Sequence, residues 1–187
     1  MKKLWLIFPL SILILSCASY DSMKKPGTNF SRYKNIAVLA FESNTPGAGQ
    51  EVSDMVSMAF VQHGFNIVER TKLKDVLNEN AVMMSGLTED AKRELNILGI
   101  QAIVTGSVGM CQCTNVMVPL IVNGSVSGYL PANNCTVSFS FKMIDVSDAS
   151  ILWTISGSHN MQAMGMNPQK VLRKILDKMD SEFPNIE

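Results

Sequence analysis

Apolar positions along the chain fall into short solid runs, helical stripes and strict alternation, and each predicts a different element. Asn35 to Phe41 (NIAVLAF) is a short, β-branched apolar run bounded by polar residues, the pattern of a buried strand. Ser43 to Gly49 is a loop rich in Gly, Pro and Asn. Between Gln50 and His63 the residues Val52, Met55, Val56, Ala59 and Phe60 recur at helical spacing, and Gly64 stands where that helix would end. A strand is expected over Phe65 to Glu69. Thr71 is placed to cap a short helix carrying Leu73, Val76 and Leu77. Thr88 is placed to cap another, with Glu89 and Asp90 in its first turn and Gly99 beyond its end. Ala102 to Val108 has the apolar character of a third strand, covered on at least one face.

The last third changes style. Val137, Phe139, Phe141 and Met143 alternate with Thr136, Ser138, Ser140 and Lys142, the period of a half-buried strand. A turn around Ser147, Asp148 and Ala149 leads to Ile151, Trp153 and Ile155 on one face of a partner strand, so the two runs predict a hairpin. Asn167 and Pro168 open a helix whose apolar stripe is Val171, Leu172, Ile175, Leu176, Met179 and Phe183. The order βαβααβ, a long insertion over 112–134, then ββα predicts one α/β domain over 35–187, a mixed sheet flanked by helices.

The N-terminus tells a separate story. Met1, Lys2 and Lys3 precede an almost wholly apolar run from Leu4 to Leu15, the charged and apolar regions of an export signal over residues 1–16. At about twelve residues the run is short of the roughly 20 needed for a spanning helix. Ile14, Leu15, Ser16 and Cys17 resemble the bacterial lipobox, with Leu15 bulky for its position, and the resemblance implies lipidation of Cys17. The competing reading is a plain signal peptide or short anchor that happens to hold a cysteine. In the lipoprotein pattern an aspartate after the cysteine marks inner-membrane retention; Ala18 there implies the outer membrane, with the domain facing the periplasm. Residues 18–34 are polar, contain Pro26 and Gly27, and read as a flexible tether between lipid and domain.

Composition narrows the function classes. Without Lys2 and Lys3 the mature chain carries 14 basic residues against 16 acidic ones, so nothing points to nucleic acid. No phosphate loop, nucleophile elbow or paired acid and base motif occurs, and neither an enzyme nor a cofactor is expected. The thirteen methionines, several of them in the helical stripes, read as core filler. Beyond Cys17 the cysteines are Cys111, Cys113 and Cys135, which flank the insertion. In an oxidising compartment, joining Cys135 to Cys111 or to Cys113 would staple its base and leave one thiol over. A metal site is the weaker alternative, because C-x-C lacks a second ligand pair and His63 and His159 lie far off in sequence.

The segments KNIAVLAFES, GFNIVERTKLKDVLNEN and LGIQAIVTGSV together resemble the periplasmic domain of the curli-secretion (CsgG-type) lipoproteins, a layout shared with the penicillin-binding-protein activator lipoproteins. The resemblance covers roughly residues 34 to 158 and is sharpest at Val68 to Leu73 and Thr105 to Val108. Neither motif is catalytic: Glu69 and Arg70 are expected to end a strand and pair with neighbours, and Gly106 to relieve crowding. The resemblance implies secretion or assembly at the outer membrane through homo-oligomerisation and contacts with another envelope protein.

One stretch stands out: from Leu95 to Phe141 there is no Asp, Glu, Lys, Arg or His. Inside it lie Val116, Met117, Val118, Leu120, Ile121 and Val122, the turn-like Asn123 and Gly124, then Tyr129 and Leu130, which together are able to fold as a hairpin. In the curli-secretion family this place holds the first of two membrane-crossing hairpins; here the second has no room between Ser158 and the last helix. The insertion is read as an ordinary loop, as a contact surface for a partner or sister subunit, or as a membrane insertion. The alternative to a secretion-type oligomer is a monomeric lipoprotein that regulates a cell-envelope enzyme such as a peptidoglycan synthase. A redox or metal-binding protein is a third reading, resting on the three cysteines alone.

Overall fold

The computed structural model describes residues 18–70, 73, 87–163 and 167–186. Its elements are β1 (Ala18–Lys24), a 3-10 turn (Phe30–Arg32), β2 (Asn35–Val38), β3 (Glu42–Ser43), α1 (Ala48–Gln62), β4 (Asn66–Ile67), α2 (Glu89–Ile97), β5 (Ala102–Val122), β6 (Ser125–Asp145), β7 (Ile151–Ala163) and α3 (Pro168–Lys178), followed by a 3-10 turn (Asp180–Glu182). They form one mixed sheet in the order β1-β7-β6-β5-β2-β4, with β3 also on β5. The β2, β3, β4 and β5 pairings are parallel, and β5, β6, β7 and β1 run antiparallel. Of the helix expected after Thr71, only Leu73 is among the described residues, where it is helical and buried. Thr71, Val76 and Leu77 lie outside them.

The solid run in β2 follows from burial on both faces. Ile36 and Val38 join Val52, Val56 and Phe60 of α1 in one core, while Ala37 and Leu39 face a second core with Leu73 and with Ala91 and Leu95 of α2. Alternation in β6 has the other cause. Val137, Phe139, Phe141 and Met143 are buried under α1 and α3, and the hydroxyls between them face away. At the centre Phe60 meets Phe65, Trp153 and Phe183 edge-on, and the Trp153 indole N–H donates to the Glu182 carbonyl at 3.0 Å. Thr88 and Asn167 cap their helices, accepting from the N–H of Ala91 and Lys170.

Two expectations need correction. Residues 18–24, read as part of a flexible tether, are an edge strand paired with β7 from Ala18↔His159 to Lys24↔Trp153. Tyr20 packs on the main core, the Ser22 hydroxyl bonds the Glu182 carboxylate, and the Lys24 ammonium donates to the Phe183 carbonyl. Gly157 admits this strand, since a Cβ there would lie 2.5 Å from the Ser19 carbonyl oxygen. The second correction concerns 112–134, which is no loop: β5 and β6 run straight through it as one long hairpin.

Candidate functional site: the projecting hairpin

Asn123 and Gly124 both have positive φ, 50° and 78°, the signature of the two-residue turn that matches strand twist. Below it β5 and β6 pair from Val122↔Ser125 down to Ala102↔Asp145. The third strand, β7, accompanies β6 only as far as Asn133↔Ala163. Beyond that row Val116–Val122 and Ser125–Ala132 form a two-stranded ribbon, roughly 23 Å long at ~3.3 Å per residue.

The prolines lie just beyond the last described pair of β6 and β7, Asn133↔Ala163. The Cα atoms of Cys113 and Cys135 are 4.0 Å apart, the spacing of a non-hydrogen-bonded antiparallel pair (~4.5 Å, against ~5.5 Å for a bonded one). Stepping by twos, Met117↔Pro131 and Pro119↔Tyr129 are pairs of the same kind. Their backbone N atoms point outward, so neither proline costs the β5–β6 ladder a bond. Pro131 instead has no N–H to offer on the β7 side, one rung beyond Asn133↔Ala163.

Register sorts the ribbon's side chains onto two faces. Val116, Val118 and Leu120, opposite Ala132, Leu130 and Gly128, share one. Met117, Pro119 and Ile121, opposite Pro131, Tyr129 and Val126, share the other. This second face continues the row of Cys135, Val137 and Phe139, yet Met117, Ile121 and Tyr129 are 66 %, 64 % and 63 % exposed. Leu120, Val122 and Leu130 on the ribbon are exposed as well, and Val116 and Val118 are half-buried. Val126, 56 % exposed, belongs to the same patch and was not among the sequence-derived residues. The Asn-Gly turn, which sets it opposite Ile121, was the signal available for it.

At the ribbon's foot a disulfide joins Cys113 to Cys135 across the strands. Cys111 stands two residues before Cys113, in the row Cys111↔Val137↔His159↔Ala18. Cys17 lies outside the described residues, but its neighbour Ala18 sits at the ribbon end of the sheet. Gly106 relieves crowding as expected, since a Cβ there would lie 2.4 Å from the Ser140 carbonyl oxygen. The Arg70 guanidinium donates to the Val38 carbonyl at 3.1 Å and the Ser53 hydroxyl at 2.7 Å.

Perturbed titrating groups gather at the opposite end of the sheet, around the β6–β7 turn. Burial and a 2.7 Å bond to Asp145 push Tyr33 up to about 12. Burial presses Asp145 upward, but bonds from the Ser147 hydroxyl, the Tyr33 hydroxyl and the Ser147 N–H together hold it below the usual carboxylate range. Asp148 is lowered by the Ser150 N–H and hydroxyl. This cluster ties β6 to the segment before β2. Among the described residues no group of three His, Cys, Asp or Glu is placed to hold a metal, and no helix is long and apolar enough to cross a membrane.

Fold and ribbon define a class: a mixed α/β sheet whose two central antiparallel strands overrun the body as an uncharged, apolar hairpin. Residues 10–173 match the family described as curli production assembly/transport component CsgG, and the chain belongs to that family. No curated protein matches it. Among solved structures it is similar to PelC from Paraburkholderia phytofirmans, a dodecamer in two crystal forms. One form has 14% identity and a TM-score of 0.54, covering 88% of this chain and 99% of that one. The other has 14% identity and a TM-score of 0.52, covering 86% and 96%. Lipoprotein GNA1162 from Neisseria meningitidis follows at 15% identity and a TM-score of 0.48, covering 79% and 98%.

Proposed function

We propose that this protein is an exported lipoprotein, cut before Cys17 and lipidated there, that self-associates at the outer membrane and serves the secretion or assembly of surface proteins by contact rather than by chemistry. The observation that carries the reading is the ribbon. A monomer in water gains nothing from an uncharged hairpin with Met117, Ile121, Val126 and Tyr129 exposed on one face and Leu120 and Leu130 on the other. Family membership supports the assembly role, and the dodecameric state of PelC, a protein of the same fold, supports self-association. Because Ala18 sits at the ribbon end, a lipid on Cys17 would turn that end toward the membrane. With β1 paired from Ala18 onward, little free chain is left for the reach that a regulator of a distant enzyme needs.

The prolines favour a particular kind of contact. Pro119 and Pro131 each remove an outward backbone donor, so side-chain faces rather than an extended hydrogen-bond ladder carry the association. The test is the mass of the lipidated protein extracted from membranes in mild detergent. A large discrete complex is expected; a monomer would overturn the reading and leave the anchored regulator as the better account.

A further inference from the structure

We infer that the ribbon is a two-sided joint between copies. Its front, the face carrying Met117, Ile121 and Tyr129, packs into the back of a second copy's ribbon, the face carrying Val116, Val118 and Leu130. The inference rests on the self-association proposed above and gives it a geometry.

Shape separates the two faces. Both are apolar and uncharged, and both lie beyond the last described pair with β7. Met117, Ile121 and Tyr129 nevertheless stand out into solvent, while Val116, Val118 and Gly128 are half-buried and Ala132 is buried. Two-stranded ribbons twist more strongly than wide sheets, and here the back is the enclosed side and the front the ridge. A ridge seated in a hollow reaches the close packing of an interface core, whereas ridge on ridge leaves voids. The edges favour the same arrangement. Pro119 on β5 and Pro131 on β6 each interrupt the outward row of N–H groups that a strand added alongside would need.

Area and charge extend the joint onto the body. A ribbon face of about 23 Å by ~10 Å, two strands wide, offers roughly 230 Å², against about 800 Å² buried by each partner in a stable interface. Each face runs on into a suitable surface. The back continues through Thr136, Ser138 and Ser140 of β6, beside Ser156 and Ser158 of β7, the side of these strands turned away from α1 and α3. Along these rows of β6 and β7 Lys142 is the one charged residue, and charge depletion marks interface cores. The front leads to a hollow of about 380 Å³ between the first turns of α1 and α3, lined by Thr45, Pro46, Val52 and Leu172 among others. Glu51, the one charge there, accepts from the Gln169 amide at 3.2 Å.

Such a joint uses a different surface on each copy. Every added copy then presents a fresh front or a fresh back, so assembly passes two copies and ends only by closing on itself. A two-fold pair through one face would stop at two and leave the other apolar face bare.

The test sets the same charge on neighbouring rows of opposite faces, Met117→Lys on the front and Leu130→Lys on the back, both exposed positions. The lipidated chains are sedimented in one mild detergent, alone and mixed, with folding checked by urea midpoint. Wild type should exceed two copies, and each variant alone should sediment as one. An equimolar mixture should give a 1:1 dimer and nothing larger, because only the intact front of Leu130→Lys and the intact back of Met117→Lys are left to meet. A wild type that stops at two copies, a variant that still self-associates alone, or a mixture that stays monomeric would overturn the joint and leave the proposed function standing. A wild type of one copy, its ribbon taken up by detergent, would overturn both. Should either lysine unfold the chain, Met117→Ser and Leu130→Ser take their places and are read in the same way.

Discussion

Two stretches of β6 lie on the same face of the same strand and meet opposite fates. Phe139, Phe141 and Met143 are buried under α1 and α3; Tyr129, ten residues from Phe139 on the same row, is 63 % exposed. Chemistry does not separate them, for both segments are uncharged and apolar on that face. Cover does: among the described residues β7 pairs with β6 no further than Asn133↔Ala163, and the hairpin continues beyond that row. Stability therefore resides in the lower half of the hairpin, the upper half is left for the contact role proposed above, and each half predicts a different response to substitution.

The largest effect is expected in the covered half. Trp153→Ala or Phe60→Ala removes a ring from the cluster of Phe60, Phe65, Trp153 and Phe183 and should cost about 3–5 kcal/mol in denaturant unfolding. At the boundary, Cys113–Cys135 closes a loop with a sequence separation of 22, and reducing it should lower stability by about 3 kcal/mol on the loop-entropy estimate, read as a fall in urea midpoint. Gly106→Ala comes next: a methyl 2.4 Å from the Ser140 carbonyl oxygen should cost about 1–3 kcal/mol through strand displacement.

Smaller still is the titrating cluster at the far end. Tyr33 is raised, so its contribution is whole below the unfolded value of ~10 and is lost as pH rises toward about 12. Asp145 is lowered, so its contribution is present above ~4 and lost as pH falls through its folded value. Tyr33→Phe should cost about 1 kcal/mol at neutral pH and flatten the alkaline limb of a melting-temperature profile. An unchanged limb would place the alkaline loss elsewhere.

Much of the covered half was legible in the sequence. Burial on both faces left its mark in NIAVLAF, burial on one face in the alternation of β6, and the caps at Thr88 and Asn167 were readable because capping is local chemistry. The edge strand β1 was not. ASYDSMK has one strong inward residue, Tyr20, and becomes a strand through pairing with β7 and the space at Gly157, both set by residues more than a hundred positions away. The two-residue β3 was hidden because it too is a strand only through distant pairing, Glu42 with Ser107 and Ser43 with Val108. In the ribbon, Pro119 reads as a breaker until the register shows its nitrogen facing outward. The disulfide choice was open because periodicity treats Cys111 and Cys113 alike.

In the proposed function the exposed half is a contact surface between copies. Replacing Met117, Ile121 and Tyr129 together by serine tests this most directly, since exposed positions should change unfolding stability by no more than about 0.5 kcal/mol each. Sedimentation of the lipidated wild type and triple variant in the same mild detergent is the measurement. A discrete oligomer for the wild type and a folded monomer for the variant is the predicted result; an oligomer of unchanged size with all three serines in place would contradict the account.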